Sequence, residues 1–219
     1  MGTLSFKIKK VLLTCLITAM AGVIISGTVY YKNSKEAINH LASDAKNTAE
    51  VWSAKITKKD VKELMQTKNR NSEAGRKLGA HFNHLSQQVP YVAQGYVFGA
   101  ELKNGTDTRL VVAPTALMDA LEKDGVKIGD FYTQPANIVN VIEKMKQTKK
   151  TVVSEPYKDD LGVWVTVVKP YVDQNGEVFA YYGIDYEAQS YMDHQRKVLL
   201  IVGGIFLFLL LAIIFLFIK

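Results

Sequence analysis

Residues 154–186 read SEPYKDDLGVWVTVVKPYVDQNGEVFAYYGIDY, and this stretch decides the fold of the chain. Residues 163–168 are all β-branched or aromatic, and residues 177–186 form a second run rich in strand-forming side chains. Between them, residues 173–176 read Asp-Gln-Asn-Gly, which is a turn signal. The stretch therefore predicts a β-hairpin. Because its strands contain few polar residues, we expect them in a sheet that is covered on at least one face.

The hairpin also carries a series of features in a characteristic order. They are Tyr157 with Asp159, Asp160 and Gly162, then Trp164, then Lys169 and Pro170, then Gly176, then the Tyr-Gly-Ile-Asp run of residues 182–185. This order resembles the C-terminal half of extracellular Cache domains, the PAS-like sensor domains of bacterial methyl-accepting chemotaxis receptors and sensor kinases. The resemblance implies a single Cache domain of the α+β class between two membrane helices, which senses a small molecule.

Two apolar segments flank the central part of the chain. Residues 11–31 and residues 198–218 each contain 21 residues without a charge. Each segment is about as long as a helix needs to be to cross a hydrocarbon core of roughly 30 Å. We therefore expect two transmembrane helices, which a mean hydropathy of +0.02 for the whole chain conceals.

The first apolar segment has an alternative interpretation as a cleaved signal peptide. Three lysines precede it, and Ala19-Met20-Ala21 is a small-residue cleavage pattern. The apolar run continues past Ala21, however, to the pair Tyr30 and Tyr31. Aromatic residues at this point favour a membrane anchor, because they are enriched at membrane interfaces.

Two spans divide the chain into four segments. We expect a cytoplasmic N-terminus (1–10), a first transmembrane helix (11–31), an extracytoplasmic domain (32–197) and a second transmembrane helix (198–218). Lysine and arginine are about equally frequent beside the spans on both sides, so the orientation rests on the basic N-terminus and on the Cache resemblance. The prediction is a two-pass protein of the cell membrane.

The charge distribution argues against a nucleic-acid partner. The chain has a net charge of +6, but all acidic residues lie between residues 32 and 197, so the central domain is close to neutral. A nucleic-acid-binding domain would carry a basic face. The single cysteine, Cys15, lies within the first span, which leaves the central domain without a disulfide framework.

The central domain begins with an amphipathic helix over residues 38–56. Its apolar stripe consists of Ile38, Leu41, Ala45, Ala49, Trp52 and Ile56. We expect this stripe to pack on the sheet or on a second copy of the chain, as in a homodimer. Two shorter helices should follow, then a hairpin turning at Asn104-Gly105, helices over 115–123 and 135–147, and three more strands. The result is an antiparallel five-stranded sheet.

No sequence pattern points to catalysis or to a cofactor. The chain lacks a Ser/His/Asp triad, a P-loop and a dinucleotide fingerprint, so we expect neither an enzyme nor a bound cofactor. His81 and His84 are three residues apart, but no acidic or cysteine residue accompanies them at ligand spacing. A metal site is therefore not expected.

The candidate ligand site consists of aromatic and polar residues around the sheet. They are Tyr132, Tyr157, Trp164, Tyr182, Asp185, Arg109 and Lys169. By resemblance to amino-acid-sensing Cache domains, Asp185 is expected to hold the ammonium group of a ligand, and Trp164 is expected to contact the same ligand. The arginine that such domains place before the tryptophan is missing here, so Arg109 or Lys169 would neutralise the carboxylate of an organic acid or amino acid. Alternatively, Trp164 and Tyr182 belong to the core, and Asp185 caps the next helix.

Two hypotheses on function follow. The first is the ligand-sensing module of a chemoreceptor-type signal transducer, in which residues 186–197, which lack Gly and Pro, pass the movement of the last strand to the second span. The second is a stand-alone membrane-tethered binding or assembly protein without its own output domain. We favour the signal transducer, and this hypothesis predicts that the native reading frame continues beyond Lys219.

Overall fold

The structure is a computed structural model that describes residues 6–159 and 162–218. Asp160, one of the features that carry the Cache resemblance, lies outside the described residues, as do residues 1–5, Leu161 and Lys219. The chain divides into two compact units, one formed by Met1–Asn39 with Ser190–Lys219 and the other by His40–Gln189.

Six helices and seven strands are present in the described residues. The helices are α1 (Phe6–Ser53), α2 (Lys58–Thr67), α3 (Glu73–Gln88), α4 (Thr115–Lys123), α5 (Ala136–Thr148) and α6 (Gln189–Ile218). The strands are β1 (Val92–Gly99), β2 (Asp107–Val112), β3 (Phe131–Thr133), β4 (Val152–Val153), β5 (Tyr157–Lys158), β6 (Val163–Val172) and β7 (Val178–Glu187).

The first unit contains the part of the first apolar helical segment that precedes His40 and the whole of the second segment. Ile8–Ser53 and Lys197–Leu216 are long and apolar enough to cross a membrane. Within the first unit, most of the large apolar side chains of these segments are exposed, as expected for a surface that faces lipid. Gly22 lies against the ring of Phe206, where an added Cβ would come within 2.8 Å of the ring. A small residue at this position lets the two helices approach closely.

The second unit is built on an antiparallel sheet with the strand order β3-β2-β1-β7-β6-β4, and β5 also pairs with β6. The predicted hairpin of residues 154–186 is present as β6 and β7. Its turn is closed by Asp173, whose side chain accepts hydrogen bonds from the backbone N–H groups of Asn175 and Glu177. Gly176 has a φ of 80°, which only glycine adopts at low cost.

The α+β class with a long N-terminal helix and an antiparallel sheet is confirmed, but the sheet has seven strands rather than five. The two additional strands are β3 and β5, which contain three and two residues. They extend the sheet beside β2 and beside β6. Segments this short show no alternation of polar and apolar side chains, so the sequence pattern does not reveal them.

Helix ends follow local sequence signals. The side chains of Thr57 and Ser72 precede α2 and α3 and accept hydrogen bonds from the backbone N–H groups of Asp60 and Gly75. Pro114 and Pro135 stand immediately before α4 and α5. The turn between β1 and β2 has positive φ at both Asn104 and Gly105, as its Asn-Gly sequence predicts.

Four of the six residues of the predicted apolar stripe pack in the core of the second unit. Leu41, Ala45, Ala49 and Ile56 are at most 5% exposed. These side chains therefore belong to the core of the monomer and are not available as the centre of a dimer interface. The predicted homodimer, if formed through α1, requires another face of this helix.

Candidate functional site

One cavity of the second unit combines a buried carboxylate with aromatic walls. Its volume is about 210 Å³, which corresponds to roughly seven water molecules in the liquid. It lies between one face of the sheet and the segment that contains α4 and α5. The residues that line it are Gln94, Tyr96, Phe98, Leu110, Ala113, Leu117, Leu121, Tyr132, Gln134, Pro135, Ile138, Tyr157, Asp159 and Asp185.

Asp185 forms the base of this cavity and is 8% exposed. Its Oδ1 accepts hydrogen bonds from the hydroxyl groups of Thr166, at 2.6 Å, and Tyr96, at 2.9 Å. Its Oδ2 accepts a hydrogen bond from Gln94 Nε2 at 2.8 Å. Because the Thr166 hydroxyl donates its only proton to Asp185, the Tyr157 hydroxyl, 2.9 Å away, donates to Thr166. The whole network directs its protons toward one carboxylate.

The environment of Asp185 changes its ionisation. Burial raises the pKa of this carboxyl group, the hydrogen bonds from Gln94, Thr166 and Tyr96 oppose the rise, and the nearby charge of Asp159 adds to it. Burial also raises the pKa of Tyr96, so this phenol remains a proton donor. Perturbed ionisable groups in a cavity are typical of functional sites.

Gly183 makes this arrangement possible. It pairs with Tyr96 across β1 and β7, and an added Cβ at residue 183 would lie 2.0 Å from the Tyr96 ring. The absence of a side chain lets the ring lie across β7 and brings its hydroxyl to Asp185. A backbone position that another group must approach closely is a common place for glycine in a strand.

The structure brings three of the predicted residues to the cavity, namely Asp185, Tyr157 and Tyr132. Asp185 lies within β7, before α6 begins, and its carboxylate accepts the hydrogen bonds of the buried network rather than those of a helix cap. Trp164 does not line the cavity. Its Nε1 donates a hydrogen bond, at 2.7 Å, to Asp159, which does line it.

The other three predicted residues lie elsewhere. Tyr182 is on the opposite face of the sheet, where its hydroxyl is hydrogen-bonded to His81 Nε2 at 2.9 Å. Arg109 donates to the carbonyl oxygen of Gly129 at 2.6 Å, and its guanidinium lies over the ring of Phe131. Lys169 forms an ion pair with Glu50 of α1. Neither basic side chain reaches the cavity.

His81 is therefore part of the core packing. Burial lowers the pKa of His81 to about 4, so the ring is neutral near pH 7. In the part of the chain that the structure describes, no group of three or more His, Cys, Asp or Glu side chains is placed to hold a metal ion.

Four residues around the cavity were not predicted from the sequence, namely Gln94, Tyr96, Thr166 and Gln134. Gln94, Tyr96 and Phe98 alternate along β1, and side chains two residues apart in a strand share a face. A polar residue such as Gln94, on the same face of a strand as two aromatic residues, is a sequence signal that could have indicated a site on this face. Gln134 precedes α5 in a loop, donates a hydrogen bond to Thr108 at 2.8 Å, and has no comparable sequence pattern.

Comparison with known proteins gives one curated relative. No protein-family model matches the chain. A probable methyl-accepting chemotaxis protein of Bacillus thuringiensis subsp. konkukian is 24% identical over 204 residues, which cover 93% of this chain and 34% of the relative. The chain is similar to a bacterial chemoreceptor. The resemblance to chemoreceptors inferred from the hairpin is confirmed, although the chain spans only about a third of that relative's length.

Three solved sensor domains also align with the structure. The Escherichia coli DcuS sensor domain is 15% identical, with coverage of 74% of this chain and 98% of that domain and a TM-score of 0.48. The sensory domain of the Campylobacter jejuni chemoreceptor Tlp1 is 16% identical, with coverage of 72% of this chain and 63% of that domain and a TM-score of 0.33. The sensory domain of the Campylobacter jejuni chemoreceptor Tlp3, solved with isoleucine bound, is 13% identical, with coverage of 80% of this chain and 65% of that domain and a TM-score of 0.34. At TM-scores below 0.5, these likenesses carry no information on the ligand of this chain.

Two helices that can span a membrane, together with the similarity to a receptor, identify a membrane protein. The boundaries and sidedness of its four segments remain predictions.

Proposed function

We propose that this chain is the ligand-sensing module of a chemoreceptor-type signal transducer, with residues 32–197 outside the cytoplasm. The observation that carries the proposal is the cavity whose base is Asp185. A small cavity with apolar walls and a few convergent polar groups is the usual form of a small-molecule site.

The position of Asp185 connects this cavity to the second apolar helix. Asp185 is on β7, which ends at Glu187, and α6 begins two residues later at Gln189. The connection contains neither Gly nor Pro. A ligand that contacts Asp185 therefore acts on a strand joined to α6 without a flexible linker. Such a ligand shifts the equilibrium between two signalling states of the receptor to the extent that it binds one state more tightly than the other.

The orientation and the assembly state belong to the same proposal. Both apolar helices cross the membrane and contact its lipids, and residues 1–10 lie in the cytoplasm. Two copies associate as a homodimer through the face of α1 that is exposed in the monomer, where Val51 is 60% exposed. No catalytic step is part of this function.

A thermal-shift screen of small metabolites on the detergent-solubilised full chain tests ligand sensing. A ligand at 100 times its dissociation constant should add roughly 2.7 kcal/mol of stability. Leu117→Phe, which narrows the cavity, should abolish this gain. Ala116→Phe, which introduces the same side chain at an exposed neighbour that does not line the cavity, should leave it intact. Ligands that stabilise both variants equally would place the binding site elsewhere.

Transduction requires a separate experiment. The chain is exchanged for the matching 34% of the Bacillus thuringiensis relative, and receptor output is measured with a ligand from the screen. We expect a response in the exchanged receptor and none when it carries Leu117→Phe. A ligand that binds the exchanged receptor without any change in output would favour a binding protein over a transducer.

A further inference from the structure

We propose that the cavity binds a small organic cation, an amine or a quaternary ammonium compound without a carboxylate, whose charged group faces Asp185. This inference rests on the proposed sensing function and specifies the chemical class of the ligand. It differs from the organic acid or amino acid that the sequence suggested.

The charges around the cavity select against anions. Two carboxylates, Asp159 and Asp185, line it, and no Lys, Arg or His is among the described lining residues. Arg109 is engaged with the Gly129 carbonyl oxygen, and Lys169 is paired with Glu50. A ligand carboxylate would therefore be desolvated beside charges of its own sign and without a positive partner.

The network at the base of the cavity favours a positive ligand group. Three neutral donors, on Gln94, Tyr96 and Thr166, point at Asp185, an arrangement that fits an ionised carboxylate acting only as an acceptor. A buried carboxylate is costly unless an opposite charge accompanies it. Among the described residues that line the cavity, none supplies that charge. An ammonium group placed against Asp185 would supply it through a charge-assisted interaction.

The walls fit the remainder of such a ligand. The rings of Tyr96, Phe98, Tyr132 and Tyr157 line the cavity, and Phe98 lies 5.2 Å from the Tyr96 ring and 6.1 Å from the Tyr132 ring, centroid to centroid. Aromatic faces attract organic cations, most strongly where water is excluded. The volume of about 210 Å³ lies below the range of roughly 300–1,000 Å³ that drug-sized ligands occupy.

Matched probes separate the ligand classes. n-Butylamine is norvaline without its carboxylate, butyrate is a carboxylate with the same number of carbon atoms as n-butylamine, and n-butyltrimethylammonium keeps the positive charge without N–H donors. Binding of each probe to the detergent-solubilised full chain is measured by calorimetry at neutral pH, with calcium chloride as an inorganic cation. We expect both organic cations to bind at least about tenfold more tightly than norvaline, and butyrate and calcium not to bind.

Variants locate the cation. Asp185→Asn keeps the size of the side chain and removes its charge, and we expect it to weaken binding of n-butylamine by at least about tenfold. Asp44→Asn removes an exposed charge of α1, outside the cavity, and should change the affinity by less than about twofold. Circular dichroism and the melting temperature establish that both variants are folded.

Several results would overturn the inference: no binding of either organic cation, tighter binding of butyrate or norvaline than of n-butylamine, binding of calcium in place of the amine, or binding of n-butylamine that survives Asp185→Asn. Butyrate or norvaline binding that Leu117→Phe abolishes would reject the cation but retain the proposed sensing function. The proposed function fails instead if ligands of every class are insensitive to Leu117→Phe.

Discussion

The ring of Tyr96 lies across Gly183 of the neighbouring strand, at a distance that leaves no space for a β-carbon. The ring thereby reaches the carboxylate of Asp185 and donates its hydroxyl proton to Oδ1. A residue without a side chain is thus required beside the acid that forms the base of the cavity. Gly183 belongs to the Tyr-Gly-Ile-Asp run on which the Cache resemblance rests, and its role is to make room for Tyr96.

We predict that Gly183→Ala displaces the Tyr96 ring and destabilises the chain by about 1–3 kcal/mol, because a buried hydrogen bond is lost and the packing is strained. Thermal unfolding of the detergent-solubilised chain measures the change. Gly79→Ala is the matched control, because an added Cβ there is in ordinary contact with Thr115 at 3.8 Å and alanine favours a helix. If the cause is the ring, Gly183→Ala should cost much less in a Tyr96→Ala background. An equal cost in both backgrounds would contradict this explanation.

The second prediction concerns pH and Asp185. Its pKa is raised in the folded state above the ordinary value of 3.8, so the folded chain keeps this proton at pH values where the unfolded chain has lost it. The free energy of unfolding contributed by this group therefore falls as pH rises from 3.8 to the folded pKa, and it is constant above that pKa. Asp185→Asn should remove this fall, which thermal unfolding at a series of pH values would show.

Asp173→Asn provides the control of opposite sign. Hydrogen bonds from the backbone N–H groups of Glu177 and Asn175 lower the pKa of Asp173. Its contribution to stability is thus present above 3.8 and lost as pH falls through the folded pKa. If the two substitutions altered the pH profile in the same direction, the assignment for Asp185 would be incorrect.

The sequence predicted the hairpin but not the partner of Asp185. A hairpin that closed directly on residues 173–176 would place Trp164 opposite Asp185. In the structure the register shifts between Tyr171 and Val172, and Thr166 lies opposite Asp185 instead. An irregularity of one or two residues near a turn leaves no trace in the alternation of side chains. It nevertheless changes which residues of the two strands lie opposite each other at every position farther from the turn. The class of fold depends on long patterns, whereas the site depends on this shift.

The distance between Arg109 and the cavity was unpredictable for a related reason. Arg109 is on β2 and pairs with Phe131 of β3, the three-residue strand that the sequence pattern does not reveal. Its guanidinium packs over the Phe131 ring and bonds to the carbonyl oxygen of Gly129. The sequence shows that an arginine is present on a strand, but the groups that hold its side chain belong to a partner strand too short to recognise and to the loop before it.

The third prediction separates the two interpretations of the basic residues. Because Arg109 and Lys169 lie outside the cavity, Arg109→Gln and Lys169→Met should leave the affinity for any ligand of the cavity within about twofold. Calorimetry with the ligand identified in the screen measures the effect, and Asp185→Asn is the comparison. A loss of at least about tenfold in either basic variant, in a folded protein, would restore the role that the sequence suggested.

The fourth prediction concerns membrane topology. In a Cys15→Ser background, a cysteine placed at the exposed turn residue Asn104 should react with a membrane-impermeant maleimide in intact cells. A cysteine in place of Lys9, before the first apolar segment, should react only after the membrane is permeabilised. The opposite labelling pattern would place the cavity on the cytoplasmic side. Labelling of both cysteines in intact cells would contradict the two-pass arrangement.

The last prediction concerns the homodimer. Leu41, Ala45 and Ala49 are buried within the monomer, whereas Val51 on another face of α1 is 60% exposed. An exposed apolar side chain on a helix can stabilise association by roughly 25 cal/mol per Å² of apolar area buried. In the Cys15→Ser background, Val51→Cys should therefore form a disulfide-linked dimer in oxidised membranes. Leu41→Cys should remain monomeric because its side chain faces the core.

Lys62→Cys on α2 is the control for random collision, because α2 is not part of the proposed interface. Its crosslinking should stay well below that of Val51→Cys at equal expression. Non-reducing electrophoresis measures all three variants. Crosslinking through Leu41→Cys would mean that the apolar stripe of α1 leaves the core in the dimer. Equal crosslinking of Val51→Cys and Lys62→Cys would remove α1 from the interface, and the assembly would then have to form through other surfaces.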